Sequence, residues 1–256
     1  MSLDYWETIP FSTIDSTSKT VGPLTLTVSR NGNEWLVEHE RSAPSVDNGD
    51  VAPPITAKKT ERYVVGRSFE TVTFHPVLPD RSVITRPETP LAVPPGQEIA
   101  LYVSVPLWVS IQIGKEKIQL SEIPIIRLSD SFFGSSTTSG ELCYAGKTRA
   151  RLSSTELSTE PYRAIIRVSV TNSSRVHLMI NHLNLPLPIL SLFKDEHGRF
   201  WIQPLKINKK SDVEDATVEP TAPLLNDISG PSLVNEPRNP AKNKTVIGII
   251  GSYFTK

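Results

Sequence analysis

The sequence predicts an all-β protein, an antiparallel β-sandwich, and three observations carry that expectation. Its 22 prolines recur from Pro10 to Pro240 with few long gaps, and a residue that breaks helix interiors but is tolerated at strand edges and turns leaves little room for long helices. Between the prolines, apolar residues alternate with polar ones at period two. The alternating segments are short and are separated by Gly, Pro, Asn and Ser rather than by helical patterns, as in two-sheet architectures.

Taken in chain order, the first element is a hairpin. Leu24, Leu26 and Val28 alternate with Thr25, Thr27 and Ser29, and Asn31-Gly32 supplies residues that readily take the positive φ of a tight turn. The return strand runs from Glu34 to about Glu40. Further strands are expected at 63–65, 69–75, 82–86, 98–105, 107–113, 117–120, 125–128, 141–144 and 147–152, most of them rich in Val, Ile, Thr or aromatic residues. A second hairpin is expected from Ala164, Ile166, Val168 and Val170, through Asn172-Ser173-Ser174, to Val176, Leu178 and Ile180. Its polar side, with Arg163, Arg167, Arg175 and His177, would face solvent or a partner. Strands at 189–193 and 200–206 complete the series.

One sandwich satisfies this pattern, and two sandwich lobes in one chain satisfy it nearly as well. The two-lobe division assigns 1–90 to an N-terminal β lobe and 91–210 to a C-terminal β lobe, with a junction in the proline-rich stretch 87–96. Residues 211–244 have few aromatics and several prolines, so they lack the apolar surface that would offset the entropy of ordering them. They read as a mostly irregular linker with a short strand around 216–218. In 245–256, Val246, Ile247, Ile249, Ile250, Tyr253 and Phe254 fall at helical spacing. This apolar segment either docks on its own domain or, through Tyr253 and Phe254, folds on a partner.

The composition excludes several classes. With 27 basic and 27 acidic side chains the net charge is zero, whereas proteins that neutralise nucleic-acid phosphates carry a positive excess. No run approaches the roughly 20 apolar residues that span a bilayer. The N-terminal residues show no basic stretch followed by an apolar one, and the lone Cys143 cannot form an internal disulfide, so a cytoplasmic location is expected. The sequons at Asn172 and Asn243 then carry no weight.

Catalytic signatures are not found at the spacings their chemistry needs. His39, His75, His177, His182 and His197 form no helical or strand ligand pair, and no nucleophile elbow, phosphate-binding glycine loop or dinucleotide fingerprint is present. No cofactor or metal is expected. His182 reads as a buried, hydrogen-bonded histidine and His197 as a solvated turn residue. Cys143, in a strand with Leu142 and Tyr144, reads as a packed thiol, since a nucleophilic one would need a nearby cation to lower its pKa.

The least ordinary segment is 125–152, IIRLSDSFFGSSTTSGELCYAGKTRARL. Phe132, Phe133 and Gly134 precede a Ser/Thr/Gly loop, and after Glu141 a strand would present Lys147, Arg149 and Arg151 on one face. Such a row repels itself unless water, carboxylates or an anionic partner compensates it. Glu141 and Asp130 are the carboxylates at hand.

The run RLSDSFFGSSTTSGELCYAGKTRARL, with LYVSVPLWVSIQIG before it and HLNLPLPILSLFKDEHGRFWIQPL after it, resembles an uncharacterised prokaryotic family, a domain of unknown function found in archaea and bacteria. The resemblance covers about residues 98–205. It implies no catalytic or binding residue. Through genes that lie beside those of mechanosensitive-type channels, it implies an accessory or regulatory cytoplasmic protein, held at the inner membrane by its partner.

The leading expectation is therefore a non-enzymatic β-rich module that binds a protein, with a membrane channel as the partner class. A second class is a small-ligand or carbohydrate-binding sandwich in which Trp35, Trp108 or Phe133 supplies a stacking platform. A third is an enzyme using Cys143 or His182, each held in a pocket against an oriented acid or base.

Overall fold

The structure, a computed structural model, describes residues 5–11, 15–42, 58–136, 139–148, 150–157, 160–212, 216–222 and 227–240, excepting the side chains of 135, 136 and 139. The apolar segment 245–256, with Tyr253 and Phe254, and the side chain of Arg149 lie outside the described residues.

Strands dominate. In chain order they are β1 (Thr8–Pro10), β2 (Ser16–Val21), β3 (Leu24–Asn31), β4 (Glu34–Arg41), β5 (Lys59–Val64), β6 (Thr71–Val77) and β7 (Val83–Pro87). Then come β8 (Leu91–Val93), β9 (Glu98–Pro106), β10 (Trp108–Ile113), β11 (Ile118–Pro124), β12 (Ser129–Ser136) and β13 (Ser139–Thr148). The last are β14 (Arg163–Asn172), β15 (Leu178–Ile180), β16 (Leu183–Leu185), β17 (Leu192–Lys194), β18 (Phe200–Lys209), β19 (Thr217–Pro220) and β20 (Ser232–Asn235). Helical structure among the described residues is confined to single 3₁₀ turns at Ser154–Glu156 and Leu187–Ile189. The all-β sandwich-like class read from the sequence is the class observed.

The chain divides into two compact units. The first takes residues 1–46, 51–77 and 106–127 and holds two four-stranded antiparallel sheets, β1-β6-β10-β11 and β2-β3-β4-β5. Their apolar faces supply Leu24, Leu26, Val28, Trp35 and Val37 on one side and Val72, Phe74, Val109 and Ile111 on the other, all buried. Phe11 meets Trp35 at 5.2 Å between ring centroids. Arg41 joins the layers by donating to the Pro124 carbonyl through Nε at 3.1 Å and Nη2 at 2.5 Å. The expected β3–β4 hairpin is present, one residue displaced at its turn. Asn31 pairs with Glu34, so Gly32 and Asn33 form the loop and Gly32 takes the positive φ of +59°.

The second unit takes 47–50, 78–105 and 128–256. It contains a sheet ordered β12-β13-β7-β16, a two-stranded β15-β8 ribbon, and a six-stranded sheet ordered β20-β17-β18-β14-β9 with β19 also on β18. Most pairings are antiparallel, but β7 with β13 and β14 with β18 are parallel. The ten-residue β18 is served along one edge by two short antiparallel strands, β17 against Phe200–Ile202 and β19 against Leu205–Asn208. β19 answers to the strand expected around 216–218; β20, in the same proline-rich stretch, has no counterpart in the expectation.

The second expected hairpin does not form. β14 pairs with β18, while β15 pairs with β8. Asn172 diverts the chain: its Nδ2 donates to the Val93 and Val176 carbonyls at 2.8 and 2.9 Å, and its Oδ1 accepts from Ser174 N–H and Oγ–H at 3.1 and 2.6 Å. A buried amide satisfied on both ends fixes a corner rather than a two-strand turn.

Nor does the polar side of β14 face solvent throughout. Arg163 is buried and Arg167 half-buried, because Tyr102, Ile165, Trp201 and Ile228 build a small apolar cluster on that face. Asp227, next to Ile228, lies 3.4 Å from Arg167 and accepts from the Tyr102 hydroxyl at 2.9 Å. Residues 125–128 do not form the expected strand, and 189–193 divides into a 3₁₀ turn and β17.

Candidate functional site

The hairpin β12–β13 carries most of the residues singled out from the sequence, and its register sorts them. Phe132 pairs with Leu142, Phe133 with Glu141, Gly134 with Gly140, and Ser131 with Cys143. Since side chains alternate between faces, the two adjacent phenylalanines part company. Phe132 and Leu142 stand on one face, 46% and 61% exposed. The Phe132 ring reaches across the hairpin to Gly140, where an added Cβ would come within 2.4 Å of it. Further along this face Tyr144 donates to Asp80 at 2.7 Å, and Arg81 joins Asp130 at 3.2 Å. Among the described residues β12 is an edge strand of its sheet.

On the opposite face are Ser131, Phe133, Glu141, Cys143 and Lys147. Phe133 meets His182 edge-on, with ring centroids 5.4 Å apart. Glu141 accepts from Asn184 Nδ2 at 3.4 Å. Cys143 is wholly buried; burial raises its thiol pKa, Ser131 lowers it through a hydrogen bond, and the Glu141 charge raises it further. A thiol so placed is a packing group, because the thiolate is the form that reacts. Burial, followed by the charge of Arg86, pushes the His182 pKa down.

Of the expected row Lys147, Arg149, Arg151, the two described members do not share a strand. β13 ends at Thr148, and Ala150 takes φ +44° while its N–H donates to Thr148 Oγ1 at 3.0 Å. That left-handed residue turns the chain out of the sheet. Arg151 then makes an isolated bridge with Tyr102 on β9, and its guanidinium lies 3.6 Å from Glu156. Lys147 keeps an exposed place in register with Arg86 on β7. Asp130 pairs with Arg81, and Glu141 accepts from Asn184.

The aromatic platforms considered for a sugar are mostly withdrawn: Trp35 is wholly buried, and Trp108 and Phe133 are half-buried. Among the described residues, no group of three or more His, Cys, Asp or Glu side chains is placed to hold a metal ion. No helix among them is long and apolar enough to cross a membrane.

A polar cleft escaped the sequence reading. Glu160, Pro161, Arg163, Ile165, His197, Gly198, Arg199 and Phe200 enclose about 540 Å³. One wall is the turn between β17 and β18, organised by the buried Asp195. Its Oδ1 accepts from the main-chain N–H of His197 at 3.0 Å and of Arg199 at 2.8 Å; its Oδ2 accepts from Arg199 Nε at 2.8 Å and Trp201 Nε1 at 3.0 Å. Burial alone would raise the Asp195 pKa, but the hydrogen bonds from Trp201 and Arg199, with the Arg199 charge, hold it below the usual range. The other wall carries Arg163, whose Nε and Nη2 donate to Ser104 Oγ at 2.7 Å and Ser104 O at 3.0 Å. The polar series Asp195, His197, Arg199 running at period two into Trp201 is the signal that could have revealed it.

No curated protein and no solved structure matches the chain. A family model described as "Protein of unknown function (DUF432)" matches residues 5–250. The match takes in the block from 98 to 205 that carried the resemblance and extends through most of both units. The chain belongs to this DUF432 family of proteins of unknown function.

Proposed function

We propose that the protein is a non-enzymatic accessory module that binds a protein partner through the β12–β13 hairpin, and that the partner is the cytoplasmic portion of a mechanosensitive-type channel. The observation that carries this reading is the directly opposed, solvent-exposed pair Phe132 and Leu142 on a sheet-edge hairpin. Cross-strand apolar pairs are ordinarily buried against a second layer, and an exposed aromatic beside an aliphatic side chain is the usual core of a docking patch. The edge strand β12 offers main-chain donors and acceptors, so an extended partner segment would add as a further strand while Phe132 and Leu142 select its side chains. The gene neighbourhood implied by the family resemblance supports a channel as the partner, and such a partner would hold the module in the cytoplasm at the inner membrane.

The test is co-purification from native membranes with the full chain and with its Phe132→Asp/Leu142→Asp variant. Recovery of a mechanosensitive-type channel with the unaltered protein, and its loss with the variant at unchanged melting temperature, is the expected result. Recovery of no channel with either protein, or equal recovery with both, would sink the reading.

A further inference from the structure

The cleft between Arg163 and the β17–β18 turn is a second, separate place where the chain presents organised chemistry. We propose that it binds a small organic molecule bearing an oxyanion, a carboxylate or a phosphate group. Its two arginines are held before any ligand arrives. Arg163 is buried and fixed through Nε and Nη2 on Ser104, and Arg199 is fixed through Nε on Asp195 with its guanidinium 5.5 Å from the Trp201 ring. Guanidinium groups pre-oriented in this way recognise oxyanions at little entropic cost, because the long side chains are already ordered. The Nη atoms of Arg199 are not engaged by Asp195, and His197, on the exposed turn, lines the cleft with its Nε2 3.7 Å from Glu196 Oε1.

The remaining lining gives the ligand a body. Pro161, Ile165 and Phe200 supply apolar and aromatic surface, and about 540 Å³ lies within the usual size of small-molecule sites and far exceeds a bare phosphate. Glu160, also in the lining, repels a highly charged ligand. The site therefore favours one oxyanion head on an apolar body over a polyanion.

Thermal denaturation of the full chain with inorganic phosphate, pyrophosphate, phenyl phosphate and benzoate tests this. Phenyl phosphate or benzoate should raise the melting temperature saturably and at lower concentration than inorganic phosphate or pyrophosphate; the tighter of the two identifies the head group. Arg199→Met and Ser104→Ala, the second freeing Arg163, should each weaken that probe at least tenfold. If Arg199→Met fails to fold, Ser104→Ala and the turn variant His197→Ala decide. No saturable shift with any probe, affinity unchanged in the folded variants, or a ranking by total charge with pyrophosphate tightest would overturn the proposal.

Discussion

The indole N–H of Trp201 donates to the carboxylate of Asp195 at 3.0 Å, joining the first residue after β17 to the second residue of β18. Both residues are buried, and the same carboxylate ties down the intervening turn through His197 and Arg199. A buried charge is tolerated when every lone pair is answered, and Asp195 meets that condition.

Removing it leaves those donors unanswered. Asp195→Ala should cost about 2–4 kcal/mol, since truncating one side of a buried charged network exposes the desolvation penalty of the other. Asp195→Asn, which keeps the shape and some of the hydrogen bonds, should cost less. Urea unfolding that shows a loss below about 0.5 kcal/mol for the alanine variant would mean the network does not hold this hairpin.

Glu61 on β5 makes acid stability of the first unit testable. Burial works to raise its pKa, but hydrogen bonds from Lys59, Tyr63 and Ser121, with the Lys59 charge, carry it down to about 2 from an ordinary 4.5. A depressed carboxylate contributes stability that is complete above its unfolded pKa and is lost as pH falls through its folded one. Melting temperatures should therefore fall as pH drops from 4.5 towards 2, and Glu61→Gln should flatten that decline. An identical pH profile in the variant would contradict the assignment.

Lys117, in the exposed turn between β10 and β11, has φ +53°, a strained backbone region for a side-chain-bearing residue. Replacing it with glycine relieves that strain against the greater entropy glycine loses on folding. Lys117→Gly should stabilise the protein by about 0.5–1 kcal/mol, measured by denaturant midpoint at unchanged m value. Destabilisation would show that the turn is not held in this conformation.

Cys143, wholly buried with its pKa raised by burial, should resist thiol reagents in the native protein. Labelling should track global unfolding as urea is added. Native-state labelling within minutes would reopen the case for a reactive cysteine.

Much of the fold was legible in local pattern. Leu24, Leu26 and Val28 on β3, and Ala164, Ile166, Val168 and Val170 on β14, lie in the strands their alternation announced, because side-chain period is a property of each strand alone. Partner choice was less legible. Asn172 looked like a hairpin turn residue, yet its amide is spent on Val93, a residue about eighty positions earlier, and no local rule could supply that acceptor.

The candidate site divides in the same way. The sequence by itself determined the all-β class and the packing of Cys143 in a strand, both consequences of backbone period and side-chain polarity. Only the tertiary structure decided that the chain would leave the β13 strand at the left-handed Ala150, that Arg163 would be buried against Ser104, and that Asp195 would build one wall of a cleft. These depend on positive-φ geometry and on hydrogen-bond partners brought together by long-range sheet pairing, where the energy of satisfying a buried polar group outweighs the local preference of the segment that carries it.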